Sequence, residues 1–578
     1  MARITKVGSR FRQLALGCLI LSATLGLTQS RKISKDLREQ SSKQWVNVIV
    51  QYRTSPGRGH FAKVAVHGAK LVQNLPVING GVFTVKGSSL ATLANAPNVA
   101  YVSPDRTVSA TATVTDFYDQ AVFAPYAWSK GLNGSGIGIA VIDSGISPHR
   151  DFSLANSSSS RVVYNESFLT GHSTATSDYY GHGTHVAGIL AGNGTDSKGQ
   201  GFRKTFMGVA DNANLINLRV LDEKGSGRDS EVIAAIQRAI TLKSKYNIRV
   251  INLSLGRPVY ESYKIDPLCQ AVEAAWKAGI VVVVAAGNQG RNDSAHTDGY
   301  GTISAPGNDP YVITVGAMKP MGTGTRADDL VASYSSKGPT LFDHIVKPDI
   351  VAPGNMMISV LASSSATLVA AAPGNIVALN SYSNNKGAPA YFTLSGTSMA
   401  TPVVSGAVAL LLQKNARLTP DQVKARLMKS AYKTFPRSST ATDPTTDKHY
   451  TSQYDIFTVG AGYLDIQAAL SSTDLAPATI GIAESPAVAR DKSGNVYLVT
   501  GNSILWGHSI MWGSSVVWGT SVVWGTSVGG ESVLWGSSAP WGSSDDNGYS
   551  IIWGTSVVWG NSDRNDTEAI PIEIEGEK

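Results

Sequence analysis

The chain has 578 residues, 42% of them apolar and 16% charged. That is enough for two or three globular domains and too apolar for a disordered chain. Its formal charge of +7 does not make it a nucleic-acid binder: residues 1–44 hold nine basic and two acidic residues, residues 45–110 six and one, and the remainder 34 basic against 39 acidic, so no basic block suited to phosphates is left in the body.

At the N-terminus, Arg3, Lys6, Arg10 and Arg12 precede an apolar run of 14 residues, Leu14 to Leu27. The run is short for a membrane span, which takes about 20 residues. It has the layout of a signal peptide over 1–30, and the expected location is secreted or cell-surface. Cys18 falls in this leader, so the body keeps one thiol, Cys269, and no disulfide scaffold. Cys269 sits in the amphipathic pattern "PLCQAVEAAW" and is expected to be a buried structural thiol.

Residues 45–110 read as a small α+β unit. "WVNVIVQY" is a strand, "HFAKVAVHGAKLV" a helix, "GVFTVKG" a strand, "SLATLANAP" a short helix and "VAYVSPDRTV" a closing strand. This order is that of a split-βαβ domain. From 120 to 471 strands and helices alternate. "GIGIAVID", "ANLINLRVL", "RVINLSLG", "GIVVVVAAGN" and "YVITVGA" are near-continuous apolar runs, as in strands covered on both faces. Helical patterns such as "SEVIAAIQRAITLKSKY" lie between them. The expected fold class is α/β, a doubly wound parallel sheet. Residues 355–394 are a long insertion rich in small residues, and 472–500 read as a linker.

The segment 501–562 is a Trp-Gly hexapeptide repeat. Trp506, Trp512, Trp518 and Trp524 keep the period of six, and it resumes with Trp535, Trp541, Trp553 and Trp559. Six is even, so in an extended strand every Trp faces one side. A β-rich tail would bury that stripe; a low-complexity stalk or sticky surface segment is the other reading. The chain closes on an acidic stretch, 563–578.

Four motifs bear chemistry. "AVIDSGI" puts Asp143 at a strand end, where sites of open α/β sheets collect; alone, such an Asp is commonly a turn residue. "YGHGTHVAGILAG" sets His182 and His185 around a Gly-Thr pair. Zinc would need further ligands at a coherent spacing, and none stands nearby. "VVVVAAGNQG" ends a strand with Asn288, and "LSGTSMATPVVSGAVALLL" places Ser398 just before Pro402. Proline is tolerated only in the first turn of a helix, so the helix of Val403 to Leu412 begins near Ser398. There free N–H groups and a positive field can stabilise an oxyanion.

Asp143, His182, Asn288 and Ser398 in this order resemble the subtilisin-like serine proteases, the subtilases, over roughly 120–471. "INLSLG" and "DPLCQAVEAAWKAGIVVVVAAGN" look most like the bacterial members. The resemblance implies a serine endopeptidase acting on polypeptides through an acyl-enzyme. Ser398 would be nucleophile, His182 general base and Asp143 its orienting partner, with Asn288 in the oxyanion hole and no cofactor for catalysis. It implies substrate-binding walls at Ser254, Leu255 and Gly256 and at Ala285, Ala286 and Gly287, with Ser304 in place of a glycine common in the stretch that closes the pocket. Asp151 matches a position that ligates structural calcium in subtilisins, but the partner loop "NGTDSKGQGFRKTFMG" is longer and carries Lys198, Arg203 and Lys204. The unit at 45–110 resembles the family's inhibitor-like propeptide, a resemblance that implies a precursor processing itself between 106 and 120. The alternative is a surface-binding protein with a vestigial protease domain, or contact with a cell surface or polymer through the tail.

Overall fold

The computed structural model describes residues 32–38, 44–57, 68–109, 118–154, 157–170, 175–294, 297–443, 447–490, 496–499, 574 and 576–577. The expected signal peptide and the Trp-Gly repeat lie outside these residues. The chain divides into two compact units, one of residues 1–106 with 265–267, the other of 107–264 with 268–578.

The smaller unit holds β1 (Trp45–Tyr52), β2 (Lys70–Leu75), β3 (Gly80–Lys86), α1 (Leu90–Ala94) and β4 (Val99–Pro104). The sheet order is β2-β3-β1-β4 with every neighbouring pair antiparallel. Alternate residues of the central strands, Val48, Val50, Phe83 and Val85, turn to one face and bury Leu90, Leu93 and Val99. The helix expected over 60–72 lies largely outside the described residues, and from Lys70 its end is strand. That strand is a sheet edge with Lys70, Leu71 and Val72 exposed, and pairing with β3 overrides its helical spacing.

The larger unit opens with β5 (Thr107–Ser109), β6 (Gly138–Asp143), β7 (Val162–Ser167), α2 (His182–Ala191), β8 (Asn214–Arg219), β9 (Ser226–Arg228), α3 (Asp229–Tyr246) and β10 (Ile248–Leu253). It continues through α4 (Pro267–Lys277), β11 (Val281–Ala285), β12 (Ile313–Lys319), β13 (Leu330–Val331), β14 (Ile350–Pro353), β15 (Met357–Val360), β16 (Tyr391–Leu394), α5 (Thr397–Lys414) and α6 (Pro420–Ser430). The main sheet runs β13-β12-β11-β10-β6-β8-β7, with β14 also on β12. All its pairs are parallel except β12 with β13. The five apolar runs are β6, β8, β10, β11 and β12, as a doubly wound sheet requires. β7 was not among them. It is an edge strand of alternating exposure, without the continuous apolar run of a central strand.

From β6 the chain moves to β8 on one side and later to β10 on the other, so the strand order reverses between β6 and β10. Ligands of open α/β sheets bind beyond the carboxyl ends of strands at such a switch point. Helix α5 packs across β10, β11, β12 and α2. Every residue from Thr397 to Leu412 in it is buried, which holds its first turn rigidly under that switch point. Residues 476, 483, 485 and 488, in the stretch expected as a linker, are buried too. Among the described residues no helix is long and apolar enough to cross a membrane.

Candidate active site

Asp143 is the last residue of β6 and is buried. Its Oδ1 lies 2.8 Å from His182 Nδ1, in the first turn of α2. The same oxygen accepts from the Ser144 N–H at 2.7 Å, which fixes the carboxylate plane. The Gly-x-x pattern around the histidines has a steric cause. A Cβ at Gly183 would stand 3.1 Å from Asp143 Cβ and closer still to the Gly145 carbonyl, so only glycine lets α2 start against the end of β6.

A fully buried acid, Asp178, sets the entry of α2. It accepts from Gly181 N at 2.7 Å, Thr184 N at 2.8 Å and Ser144 Oγ at 2.8 Å. Burial pushes its pKa up, against these hydrogen bonds. Asp178 is not among the residues expected from the motifs. The available signal was an Asp just ahead of a helix start, where its oxygens cap free N–H groups. His185 stands apart from this chemistry. Its Nε2 is 3.1 Å from the carbonyls of both Met357 and Phe392, in β15 and β16. Two acceptors make that nitrogen the protonated one of a neutral ring.

Ser398 is the second residue of α5. Its Oγ donates to the Ser254 carbonyl at 3.1 Å, and Ser254 Oγ donates to the Ser398 carbonyl at 2.7 Å. The second bond follows from Pro402. With no N–H at 402, the carbonyl four residues earlier has no intrahelical partner, and Ser254 fills the place. Asn252, whose Nδ2 is 3.0 Å from Ser254 Oγ, ties the group to Ser405 of α5. Helix α5 begins at Thr397, near the expected start, but Pro402 lies inside it, in the second turn and not the first, where Ser254 takes the carbonyl it frees.

Asn288 follows β11. Its Oδ1 accepts from Thr397 N at 3.0 Å and Thr397 Oγ1 at 2.9 Å. Gly287 N in turn donates to Thr397 Oγ1 at 3.1 Å. These donors fix which way the amide points. Its buried Nδ2 meets no acceptor among the described residues.

Leu255 is buried after β10 and Gly256 follows it; Ala285 ends β11, with Ala286 and Gly287 beyond. Ser304 bridges the two segments: its N–H donates to Ala286 O at 2.9 Å, and a Cβ at Gly256 would stand 3.0 Å from Ser304 Cβ. A Cβ at Gly287, whose φ is +104°, would collide with Ser304 Oγ. A second edge, absent from the sequence reading, is β9. There Val108 of β5 pairs antiparallel with Gly227, and Thr107 and Ser109 with Arg228 and Ser226. The Gly-Ser-Gly stretch has no apolar run to announce a strand.

Asp151 is buried within a set formed by His149 and Asp196. The set does not suit calcium. That ion takes six to eight oxygens, and here one of three side chains is an imidazole. Asp151 Oδ2 already accepts from Tyr391 OH at 2.8 Å and Oδ1 from Asp196 N at 2.9 Å. Tyr391 comes from the 355–394 insertion, which also packs on the long loop after α2: Arg203 N donates to Tyr382 O and Asn384 N to Gly201 O, both at 2.7 Å. Phe206, Tyr382 and Tyr391 form their shared core. The insertion and the lengthened loop brace each other around Asp151.

The sequence profile of the subtilase family matches residues 134–462. Serine protease AprX of Bacillus subtilis (strain 168) is 40% identical over 305 residues, 51% of this chain and 61% of that protein. Subtilisin E of the same strain is 33% identical over 369 residues, 64% of this chain and 79% of that protein. The chain thus spans about three fifths of AprX. Fervidolysin from Fervidobacterium pennivorans, described as a keratinolytic enzyme related to subtilisin, shares the fold with a TM-score of 0.55 at 22% identity, over 81% of this chain and 66% of that chain. The matched span is more than half of the chain and contains Asp143, His182, Asn288 and Ser398; the chain belongs to the subtilase family.

Proposed function

We propose that the protein is a serine endopeptidase, made as a precursor and exported. The observation that carries this is the pairing of His182 Nδ1 with Asp143 Oδ1 at 2.8 Å, at the same strand-order switch where α5 presents Ser398. With Nδ1–H held by the carboxylate, Nε2 is the basic nitrogen of the neutral ring. The Ser398 hydroxyl turns from the Ser254 carbonyl to His182 Nε2, which takes its proton as Oγ bonds to the scissile carbonyl carbon, and Asp143 stabilises the imidazolium. The carbonyl oxygen becomes an oxyanion held by Asn288 Nδ2 and the Ser398 N–H. Collapse breaks the C–N bond, the amine leaves with the His182 proton, and water releases the acyl group by the same steps.

An extended substrate adds as a strand between β9 and Ser254 to Gly256. The antiparallel pairing of Thr107–Ser109 with Ser226–Arg228 supports this, because it is such an addition by the chain itself. It also supports a propeptide role for the unit that precedes Thr107. Ser304 at the base of the side-chain pocket favours small and medium residues before the scissile bond. The leader over 1–30 supports export.

Replacing Ser398 with Ala tests the reading. The purified variant is expected to accumulate uncut precursor and to hydrolyse no casein. Processing and hydrolysis at the wild-type rate would end the proposal.

A further inference from the structure

The acidic C-terminus has no part in this chemistry, yet among its described residues Glu577 is buried. Glu577 is 3% exposed. Its Oε2 accepts from the Ser333 N–H at 2.8 Å and Ser333 Oγ at 2.7 Å, and lies 3.3 Å from Arg291 Nη2. Lys319 Nζ is 3.8 Å from Oε1. A carboxylate leaves water only where charges and donors replace its hydration, and this pocket supplies both. Arg291 also pairs with Asp443 at 3.5 Å and stacks over Tyr450, which holds its guanidinium in place.

The backbone of the same residue is recognised separately. Asn355 is fully buried. Its Oδ1 accepts from Glu577 N at 3.0 Å, and its Nδ2 donates to Glu577 O at 2.9 Å. One amide thus pairs with both backbone groups of one residue, as a neighbouring strand would. Asn375 Nδ2 donates to the Ile574 carbonyl at 2.7 Å. Gly576 has φ +60°, and a Cβ there would lie 2.9 Å from Ser395 Oγ and 3.3 Å from Met356 Sδ. The position therefore selects glycine twice, by conformation and by space.

We infer that Arg291, Lys319, Ser333 and Asn355 form a binding site for an acidic Ile-x-Gly-Glu peptide, and that its resident ligand is the chain's own C-terminus. The site borders the catalytic loops. Arg291 follows Asn288 by three residues and Ser395 precedes Ser398 by three, and Ser395 Oγ donates to Asn355 Oδ1 at 3.2 Å. The occupant is thus tied into the segment that leads to the nucleophile. The repeat segment is flanked on both sides by chain packed on the same unit, since Val488 N also donates to His344 O at 2.8 Å.

The test uses the full chain and a variant ending at residue 570, both treated with a serine-directed inhibitor. The probe is a fluorescein-labelled peptide of residues 572–578, followed by anisotropy. The truncated chain is expected to bind it saturably, and the full chain, already occupied, to bind none at any protein concentration. Peptides carrying Gly576→Ala or Glu577→Gln are expected to bind on the order of tenfold to a hundredfold more weakly, as is the parent peptide to truncated Asn355→Ala. The peptide substitutions leave the protein's folding untouched. Equal binding of the parent and Gly576→Ala peptides would overturn the site. Equal binding by full and truncated chains, or blocking that fades on dilution, would overturn its occupation by the chain's own end. Binding is read without hydrolysis, so neither outcome depends on the proposed activity.

Discussion

Thr397 decides what Asn288 can do. By donating twice to Oδ1 it turns the Nδ2 group toward the side where an oxyanion would form. Asn288→Ala is expected to lower kcat by about 10²–10³-fold with little change in KM, the loss known for such a donor in subtilisin, a relative. Steady-state kinetics on a peptide anilide checks it; a loss confined to KM would place Asn288 outside the oxyanion hole. Ser304 is proposed to set the side-chain pocket in the same single-residue way. Ser304→Gly removes the group that faces Gly256 and Gly287. It is expected to raise kcat/KM for Phe over Ala before the scissile bond by about tenfold, the range that a few methylenes provide in an apolar pocket. An unchanged Phe-to-Ala ratio would move the pocket floor elsewhere.

Among the elements, α5 has an unusual start. Proline in its second turn releases the Ser398 carbonyl, and Ser254, just beyond β10, binds it. The end of β10 and the start of α5 are thus joined at the residue proposed as the nucleophile. Ser254→Ala leaves that carbonyl buried without its partner and is expected to cost about 1–3 kcal/mol of stability. In Ser254→Ala with Pro402→Ala, the new N–H at 402 can take the carbonyl. The double variant is therefore expected to lose less than the sum of the two single ones, read from urea unfolding in the Ser398→Ala background. Strict additivity would show that the two residues do not share that acceptor.

For the whole molecule, acid stability has an identifiable contributor. His185 is fully buried, and burial, then the nearby His182, push its pKa down to about 3. In the unfolded chain a histidine titrates near 6.5. The unfolded state therefore binds the extra proton between these values, and the stability due to neutral His185 is present above pH 6.5 and is lost as pH falls toward 3. Calorimetry from pH 7 to 4, on inactive protein, is expected to show Tm falling more steeply with His185 than with Gln in its place. Parallel curves would remove His185 as the cause.

The five central strands and the helix after Ser398 were legible because burial on both faces leaves an unbroken apolar run. Asp143, His182, Asn288 and Ser398 were legible because each lies in a short motif at the end of such an element. Asp178, the β9 edge and Thr397 were not. The β9 edge and the role of Thr397 depend on partners distant in the chain, while Asp178 offers only the weak signal of an Asp ahead of a helix start. The sequence alone determined the α/β class and the order of the chemical groups, since periodicity and local motifs are properties of neighbouring residues. Tertiary structure alone decided that Tyr391 and the Asp196 N–H occupy the oxygens of Asp151, that Ser304 stands between Gly256 and Gly287, and that Glu577 reaches Arg291 and Ser333. Those contacts join positions up to hundreds of residues apart, and their energies depend on distance, burial and donor direction, which linear order does not specify.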